Sequence, residues 1–248
     1  MNSFFNVNIE FDHKLFYQTI DYYINIKKKG YVCVVDGNVL TTAQKDLDYR
    51  NIINNAFLNT CDGSSIAWLA GRIYNQKFRA LSGPEIFEKY IESDYKQTLI
   101  GSDTKVFETI VSKIRTKGIV GDNIKHIPLP YLPVNDFNYE KISEEINKDV
   151  PEIIWVSLGA PKQEIFMSKL LPYLNSGVMI GIGAAFNFYT GELSLPRKNI
   201  GALRFVWLYR IFQEPKKQFK RAISYIQILP KLWWQEKQIK DSKNKRLI

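Results

Sequence analysis

Residues 152–183 read EIIWVSLGAPKQEIFMSKLLPYLNSGVMIGIG, and this stretch decides the fold. Two apolar runs, Glu152–Gly159 and Val178–Gly183, are typical of buried strands, and Pro161–Leu174 between them has the periodicity of a helix. Two parallel strands need such a crossover helix to connect them. The stretch therefore predicts one strand–helix–strand unit of a parallel sheet.

The same alternation extends outward along the chain. Further strand-like runs are Tyr31–Val35, Ala56–Cys61, Gln97–Gly101 and Ile124–Leu129. Helical periodicity covers Gln44–Phe57, Ser64–Tyr74, Pro84–Tyr90, Thr104–Lys117 and Tyr139–Lys148. At the N-terminus, alternating Phe5, Val7, Ile9 and Phe11 indicate one more strand. We therefore predict an α/β fold, a Rossmann-like, mostly parallel sheet with helices on both faces.

Charge divides the chain into two parts. The 248 residues carry 34 Lys or Arg and 25 Asp or Glu. Residues 197–248 hold fourteen of these cations and three of the acids, a balance of +11 that leaves −2 for residues 1–196. We predict a catalytic core over residues 1–196 and a basic, aromatic-rich appendage over residues 197–248, helical but frayed from Gln235 onward.

The appendage has two interpretations. Its apolar residues have approximately helical spacing, so they could pack on the core. They could instead lie among lipid headgroups, where each Lys or Arg near an anionic surface contributes about 1 kcal/mol. We favour binding to an anionic membrane surface, and association between copies of the chain is a further option. With no signal-peptide pattern and no apolar run near the roughly 18 residues of a membrane span, we expect a cytoplasmic protein on the inner face of the cell membrane.

Polar loops follow three of the predicted strands. They contain Asp36-Gly37-Asn38, Asp62-Gly63 and residues 159–164, GAPKQE. Ligands bind beyond the carboxyl ends of the strands in an open parallel sheet, so these loops should converge on one rim. Lys162 and Gln163 would stand at a helix N-terminus, which favours an anion. Each loop by itself is also ordinary turn and helix-cap chemistry.

Together the blocks resemble a known family. DGNVLTTAQKD at 36–46, Asp62-Gly63, SLGAPKQE at 157–164, GIGAAFNFYTGE at 181–192, and WLYRIFQEPKK at 207–217 with Lys220-Arg221 are similar to blocks of the bacterial WecG/TagA/CpsF glycosyltransferases. The resemblance runs from about Tyr31 to about Ala222. It implies transfer of a hexose or N-acetylhexosamine from a UDP-sugar to a polyprenyl-diphosphate-linked saccharide. Such an enzyme would serve the synthesis of a bacterial surface polysaccharide or teichoic acid.

The resemblance also implies roles for individual residues. Asp62 is the expected general base, Asn38 lies near the donor, and Gln163 is associated with the sugar. In the appendage, the cations expected to reach the diphosphate are Arg210, Lys217, Lys220 and Arg221.

We extend the donor-binding set with residues of the same loops. Those additions are Asp36, Gly63, Tyr131, Gly159, Lys162 and Asn187. Tyr131 could stack on uracil, or simply pack on its loop. Asp36 stands where many relatives have Thr, and Asn187 where relatives often have Asp, so the identity of the sugar is not carried over.

The chemistry agrees with these roles. A carboxylate can take the proton of an acceptor hydroxyl as it attacks the anomeric carbon. Fixed cations and N–H groups can stabilise the charge on the departing UDP, and His13 and His126 have no obvious ligand cluster around them. We therefore predict an inverting, metal-independent transferase without a cofactor.

Two other classes of function fit parts of the sequence. The basic aromatic appendage also fits nucleic-acid binding through phosphate contacts and base stacking. The segment Gly181-Ile182-Gly183 is reminiscent of a dinucleotide-binding loop, but the third glycine of that motif is absent. Nucleic-acid binding is the alternative that we keep, although we expect no nucleic-acid partner.

Overall fold

A six-stranded parallel sheet forms the centre of the protein. The structure is a computed structural model that describes residues 2–193 and 215–245. The strands of the sheet are β3 (Gly30–Val35), β4 (Leu58–Cys61), β5 (Gln97–Ile100), β6 (Ile124–Ile127), β7 (Ile153–Val156) and β8 (Val178–Gly181). Their order across the sheet is β4-β3-β8-β7-β5-β6, and every neighbouring pair is parallel. The predicted α/β, Rossmann-like fold is confirmed.

Helices cover both faces of this sheet. They are α1 (His13–Asn25), α2 (Gly37–Lys45), α3 (Leu47–Asn55), α4 (Ser64–Tyr74), α5 (Gly83–Ile91), α6 (Thr104–Thr116), α7 (Tyr139–Asp149), α8 (Lys162–Leu170), α9 (Ala185–Thr190) and α10 (Pro215–Lys245). Helices α1, α5, α6 and α9 enclose one apolar core, and α2, α3, α4, α7, α8 and α10 enclose the other. Helix α9 follows β8 on one face, while α2 and α8 follow the adjacent strands on the other. Ligands of open parallel sheets bind at such a switch point.

Local capping explains where the helices differ from prediction. The predicted single helix Gln44–Phe57 is wrong, because Asp46 ends α2 in extended conformation and its carboxylate caps α3 by accepting from Tyr49 N at 3.0 Å. Helix α1 was missed altogether. It begins in the same way, with the side chain of Asp12 accepting from Leu15 N at 3.0 Å.

The N-terminal segment is a hairpin rather than one strand. Strand β1 (Asn2–Phe4) pairs with β2 (Val7–Ile9) in antiparallel register. Phe5 and Asn6 between them both have positive φ, as a two-residue hairpin turn requires. The hairpin packs into the core that α10 also covers.

The last helix packs on the core, with described contacts from Arg221 to Lys240. Leu232 is buried in it, and Tyr225, Ile228 and Leu229 pack against the same apolar cluster. Fraying from Gln235 was expected, but the helix continues to Lys245 because Glu236 is buried and Lys240 Nζ donates to Ile73 O at 2.6 Å. The domain boundary predicted at residue 196 lies outside the described residues and stays a prediction. Among the helices described, none is long and apolar enough to cross a membrane.

Candidate functional site

The carboxyl ends of four neighbouring strands form the rim of the site. Asp36 follows β3 and Asp62 follows β4, and Asp62 N donates to Val35 O at 3.0 Å across these two strands. The loop that begins at Ser157 follows β7, and the turn at Gly183 follows β8. The parallel sheet thus brings the three polar loops to one edge.

The first loop is tied to the third. Asp36 caps α2, with its Oδ1 accepting from Val39 N at 2.8 Å. The amide of Asn38 points the other way and donates to Ala160 O at 3.4 Å. Asp36 and Asn38 are both half-buried, so each keeps surface toward the rim.

The second loop meets the C-terminal helix. Asp62 is half-buried, and Gly63 forms the N-cap of α4, where a Cβ would stand 2.9 Å from the side chain of Ile66. In the first turn of α4, Ser65 Oγ lies 2.9 Å from Tyr225 Oη of α10. Burial raises the pKa of the Tyr225 phenol to about 12, so the group stays protonated at neutral pH.

Tyr225 also covers the first loop, because its ring lies 3.2 Å from where a Cβ on Gly37 would be. The position of Tyr225 could not be predicted from the sequence, because it is one aromatic residue among many in the appendage.

The third loop organises a neighbouring segment. Gly159 has φ +72°, in the left-handed region that favours glycine, and α8 begins three residues later at Lys162. Lys162 Nζ donates to Leu132 O at 2.6 Å and lies over the rings of Tyr131 and Phe137, at 5.3 and 5.0 Å from their centroids. The ammonium therefore holds the 131–137 segment beside the rim, and the ring of Tyr131 is fully exposed there.

Gln163 is buried and holds the turn after β8. Only 3% of the residue is exposed, and its Oε1 accepts from Gly183 N at 3.0 Å. The carbonyl of Gly183 accepts from Ser157 Oγ at 2.5 Å. The backbone N–H and the carbonyl of Gly183 are thus both hydrogen-bonded, to Gln163 of α8 and to Ser157 of the third loop.

Glu164 is a buried acid that the sequence analysis did not single out. It accepts from Tyr49 Oη at 2.9 Å and from Gln163 Nε2 at 2.8 Å. Burial raises the pKa of this carboxyl to about 7, although both hydrogen bonds act in the opposite direction. A signal was present, since Glu164 stands in the quoted block PKQE and shares the buried side of α8 with Phe166 and Met167.

The cations predicted for the diphosphate have different positions. Arg221 Nη2 donates to Ala160 O at 3.3 Å, the same carbonyl that Asn38 contacts. Lys220 is exposed on α10. Arg210 lies outside the described residues, as does the side chain of Lys217.

Asn187 belongs to α9, on the opposite face of the sheet, where its Nδ2 donates to Glu192 Oε2 at 2.7 Å. This hydrogen bond does not link Asn187 to the loops that follow β3 and β4.

Helix starts give the rim a positive character. The N-cap residues Gly63 of α4 and Pro161 of α8 make no side-chain cap bond, and the N-terminal ends of both helices lie at the rim. The positive end of each helix dipole at this position favours an anion.

In the part of the chain that the structure describes, no three His, Cys, Asp or Glu residues lie close enough together to bind a metal ion. The one Asp-X-Asp sequence in the chain, Asp46-Leu47-Asp48, a pattern that would suggest a metal, begins α3, where Asp46 serves as its cap.

Comparison with known families agrees with the resemblance seen in the sequence. The model described as "Glycosyl transferase WecG/TagA/CpsF family" matches residues 3–242 of the chain. The match covers the sheet, the three loops and most of α10.

Proposed function

Because the chain belongs to the WecG/TagA/CpsF family of glycosyl transferases, we propose that it moves a sugar from a UDP-sugar to a polyprenyl-diphosphate-linked saccharide. The sugar would be a hexose or an N-acetylhexosamine, and the product a precursor of a bacterial surface polysaccharide or teichoic acid. One observation carries the proposal: in a chain of this family, the loops with Asp36, Asp62 and Gln163 meet at one edge of the sheet. The nucleic-acid alternative is not favoured, since the family match is to glycosyl transferases.

Asp62 is the general base of the proposed reaction. Its carboxylate follows β4 directly and is half-buried, so it can face an acceptor hydroxyl at the rim. It takes the proton of that hydroxyl as the hydroxyl oxygen attacks the anomeric carbon of the donor. The bond from the anomeric carbon to the UDP oxygen breaks, and UDP leaves with the electron pair. A single displacement of this kind inverts the configuration at the anomeric carbon.

The departing diphosphate needs positive charge near it. The N-terminal ends of α4 and α8 bring the positive ends of their helix dipoles to the rim, and Arg221 stands beside the start of α8 through its bond to Ala160 O. Lys220, Arg210 and Lys217 of the appendage complete the proposed set. We propose that these groups act without a metal ion. We also propose that the uracil ring of the UDP-sugar lies between the rim and Tyr131.

The C-terminal helix supports peripheral binding to the inner face of the membrane. While Tyr225 and Leu232 face the core, Ile223, Ile226, Trp233 and Trp234 are exposed. Lys220, Lys231 and Lys237 are exposed on the same helix. An apolar strip flanked by cations suits the headgroup region of an anionic bilayer, where a lipid-linked acceptor presents its diphosphate.

UDP release by the purified full-length chain tests the reaction. A panel of UDP-sugars is supplied with and without a short-chain polyprenyl-diphosphate saccharide, and with and without EDTA. We expect release that depends on the acceptor and resists EDTA. Asp62→Asn should lower the rate by about 10²–10⁴-fold, the usual contribution of a general base.

A matched control distinguishes the base from charge in general. Asp122 is exposed beside the beginning of β6, at the opposite edge of the sheet, so Asp122→Asn should keep the full rate. Full turnover by Asp62→Asn would reject Asp62 as the base. No release from any donor by the folded wild-type chain would reject the proposed reaction itself.

A further inference from the structure

A line of hydrogen bonds runs from inside the core to the turn at Gly183. It begins at Tyr49 of α3, whose hydroxyl lies 2.9 Å from Glu164 Oε2. Glu164 Oε1 lies 2.8 Å from Gln163 Nε2, and Gln163 Oε1 lies 3.0 Å from Gly183 N. Glu164 is completely buried, so solvent does not compete for its bonds to Tyr49 and Gln163.

The direction of each bond is set by one end of the line. Gly183 N can only donate, so the amide of Gln163 must turn its oxygen to Gly183 and its NH₂ to Glu164. An ionised Glu164 can only accept, which matches this arrangement at both of its oxygens. A neutral Glu164 can still accept from Gln163 if its proton sits on Oε2, but the bond loses its charge assistance and about half its strength.

The Gly183 turn belongs to the rim of the site. It follows β8, between the strands that carry Asp36 and the Gly159 loop. Gly183 has φ +56°, and a Cβ built on it would have no atom within 4 Å among the residues described, so its Cα borders open space. A substrate held against the strand ends would meet this turn.

The surroundings of Glu164 place the pKa of its carboxyl near neutral pH. The elements packed around it bring Tyr49 from α3, Cys33 from β3 and Asp36 from the start of α2. Burial raises the pKa of Glu164 to about 7, the bonds from Gln163 and Tyr49 lower it, and Asp36 adds a further increase. Raised pKa values are also found for Tyr49 and Cys33, mainly because both groups are buried, so both stay neutral.

We propose that Glu164 is a positioning residue whose ionised carboxylate, acting through Gln163, fixes the Gly183 turn in the geometry that transfer requires. The inference rests on the proposed function in taking the turn as part of the substrate site. Protonation of Glu164 loosens the turn, so transfer weakens as the medium becomes more acidic.

The turn can be observed without any measurement of transfer. In ¹⁵N-labelled protein the Gly183 amide signal should shift with pH, with a midpoint near the pKa of Glu164. Glu164→Gln should abolish this titration, since an amide does not ionise. Tyr49→Phe removes a bond that favours the ionised form, so the midpoint should move to higher pH. A Gly183 signal that is flat across neutral pH, or that titrates equally in Glu164→Gln, would overturn the proposal.

Transfer itself provides the second measurement. The wild-type kcat should rise with pH through about 7, whereas Glu164→Gln should show no such rise. At high pH the kcat of Glu164→Gln should be about three- to tenfold below wild type, the loss expected when a charged hydrogen bond becomes neutral. A wild-type rise retained in Glu164→Gln would also overturn the proposal.

Ser157→Ala separates pH sensing from loosening of the turn. It removes the bond to the Gly183 carbonyl but leaves Glu164 in place. Its kcat should be lower at every pH while the rise through about 7 remains. If the wild-type chain transfers no sugar, the proposed function fails, while the Gly183 titration still decides whether Glu164 controls the turn.

Discussion

Tyr225 Oη lies 2.9 Å from Ser65 Oγ, and this contact joins the C-terminal helix to the first turn of α4. The two residues are 160 positions apart in the sequence. Since Ser65 stands three residues after Asp62, the appendage forms part of the wall around the proposed base.

Removal of either hydroxyl should weaken the wall. Tyr225→Phe and Ser65→Ala should each lower the free energy of unfolding by about 1 kcal/mol, the net value of a typical intramolecular hydrogen bond. The double variant should cost less than the sum of the two, because both changes remove one bond. Urea denaturation of the four proteins measures the cycle. Strict additivity would show that the two hydroxyls do not interact.

Glu236 should matter more for stability than its place near the chain end indicates. Its Oε2 accepts from Phe5 N and its Oε1 from Tyr74 Oη, both at 2.6 Å, in a buried position. Glu236→Ala leaves the Phe5 N–H without this acceptor, so it should lower the free energy of unfolding by about 1–3 kcal/mol. Glu236→Gln should cost less, because its oxygen can face Phe5 N while the Tyr74 hydroxyl turns to accept. Thermal denaturation ranks the variants, and equal losses would contradict this account.

The exposed apolar side of α10 should bind anionic vesicles. Ile226 and Trp234 are 58% and 61% exposed, so Ile226→Ser with Trp234→Ser should reduce binding about tenfold or more, given roughly 1.5–3 kcal/mol for each buried apolar side chain. Co-sedimentation with vesicles of phosphatidylglycerol and phosphatidylcholine measures it. Leu47, on α3, is 60% exposed, and Leu47→Ser is the matched control. Unchanged binding by the double variant would exclude this surface.

Tyr131 should set the affinity for the donor. If its exposed ring stacks on uracil, Tyr131→Ala should raise the KM for the UDP-sugar by the equivalent of about 1–3 kcal/mol, with kcat little changed. Tyr131→Phe retains the ring and should behave as wild type. Steady-state kinetics with a saturating acceptor separates KM from kcat. An unaltered KM in Tyr131→Ala would place the uracil elsewhere.

Local patterns predicted most of the sheet and several helices. Helix α4 has the bounds Ser64–Tyr74 that its periodicity indicated, and β3 and β8 begin within one residue of prediction. Parallel strands also made it predictable that the polar loops share one edge. The break at Asp46 was missed because a capping aspartate looks like any other polar residue within a helical pattern.

Contacts between residues far apart in the chain could not be predicted from the sequence. Tyr225 and Glu236 could be assigned to an appendage, but only the fold shows which side of the helix meets α2, α4 and the hairpin. The same holds for Glu164, because its hydrogen-bond partner Tyr49 lies 115 residues earlier in the sequence. A buried acid is recognised by its partners, and those partners are chosen by tertiary packing.

The bond between Phe5 N and Glu236 Oε2 also orders events during synthesis. The two residues are 231 positions apart, so the hairpin leaves the ribosome long before its acceptor is made. Contacts of such long sequence separation form late, after the sheet has brought the ends of the chain together. The rim is therefore assembled before α10 covers it, and a nascent chain remains open at the proposed site until Tyr225 has emerged and packed beside Ser65.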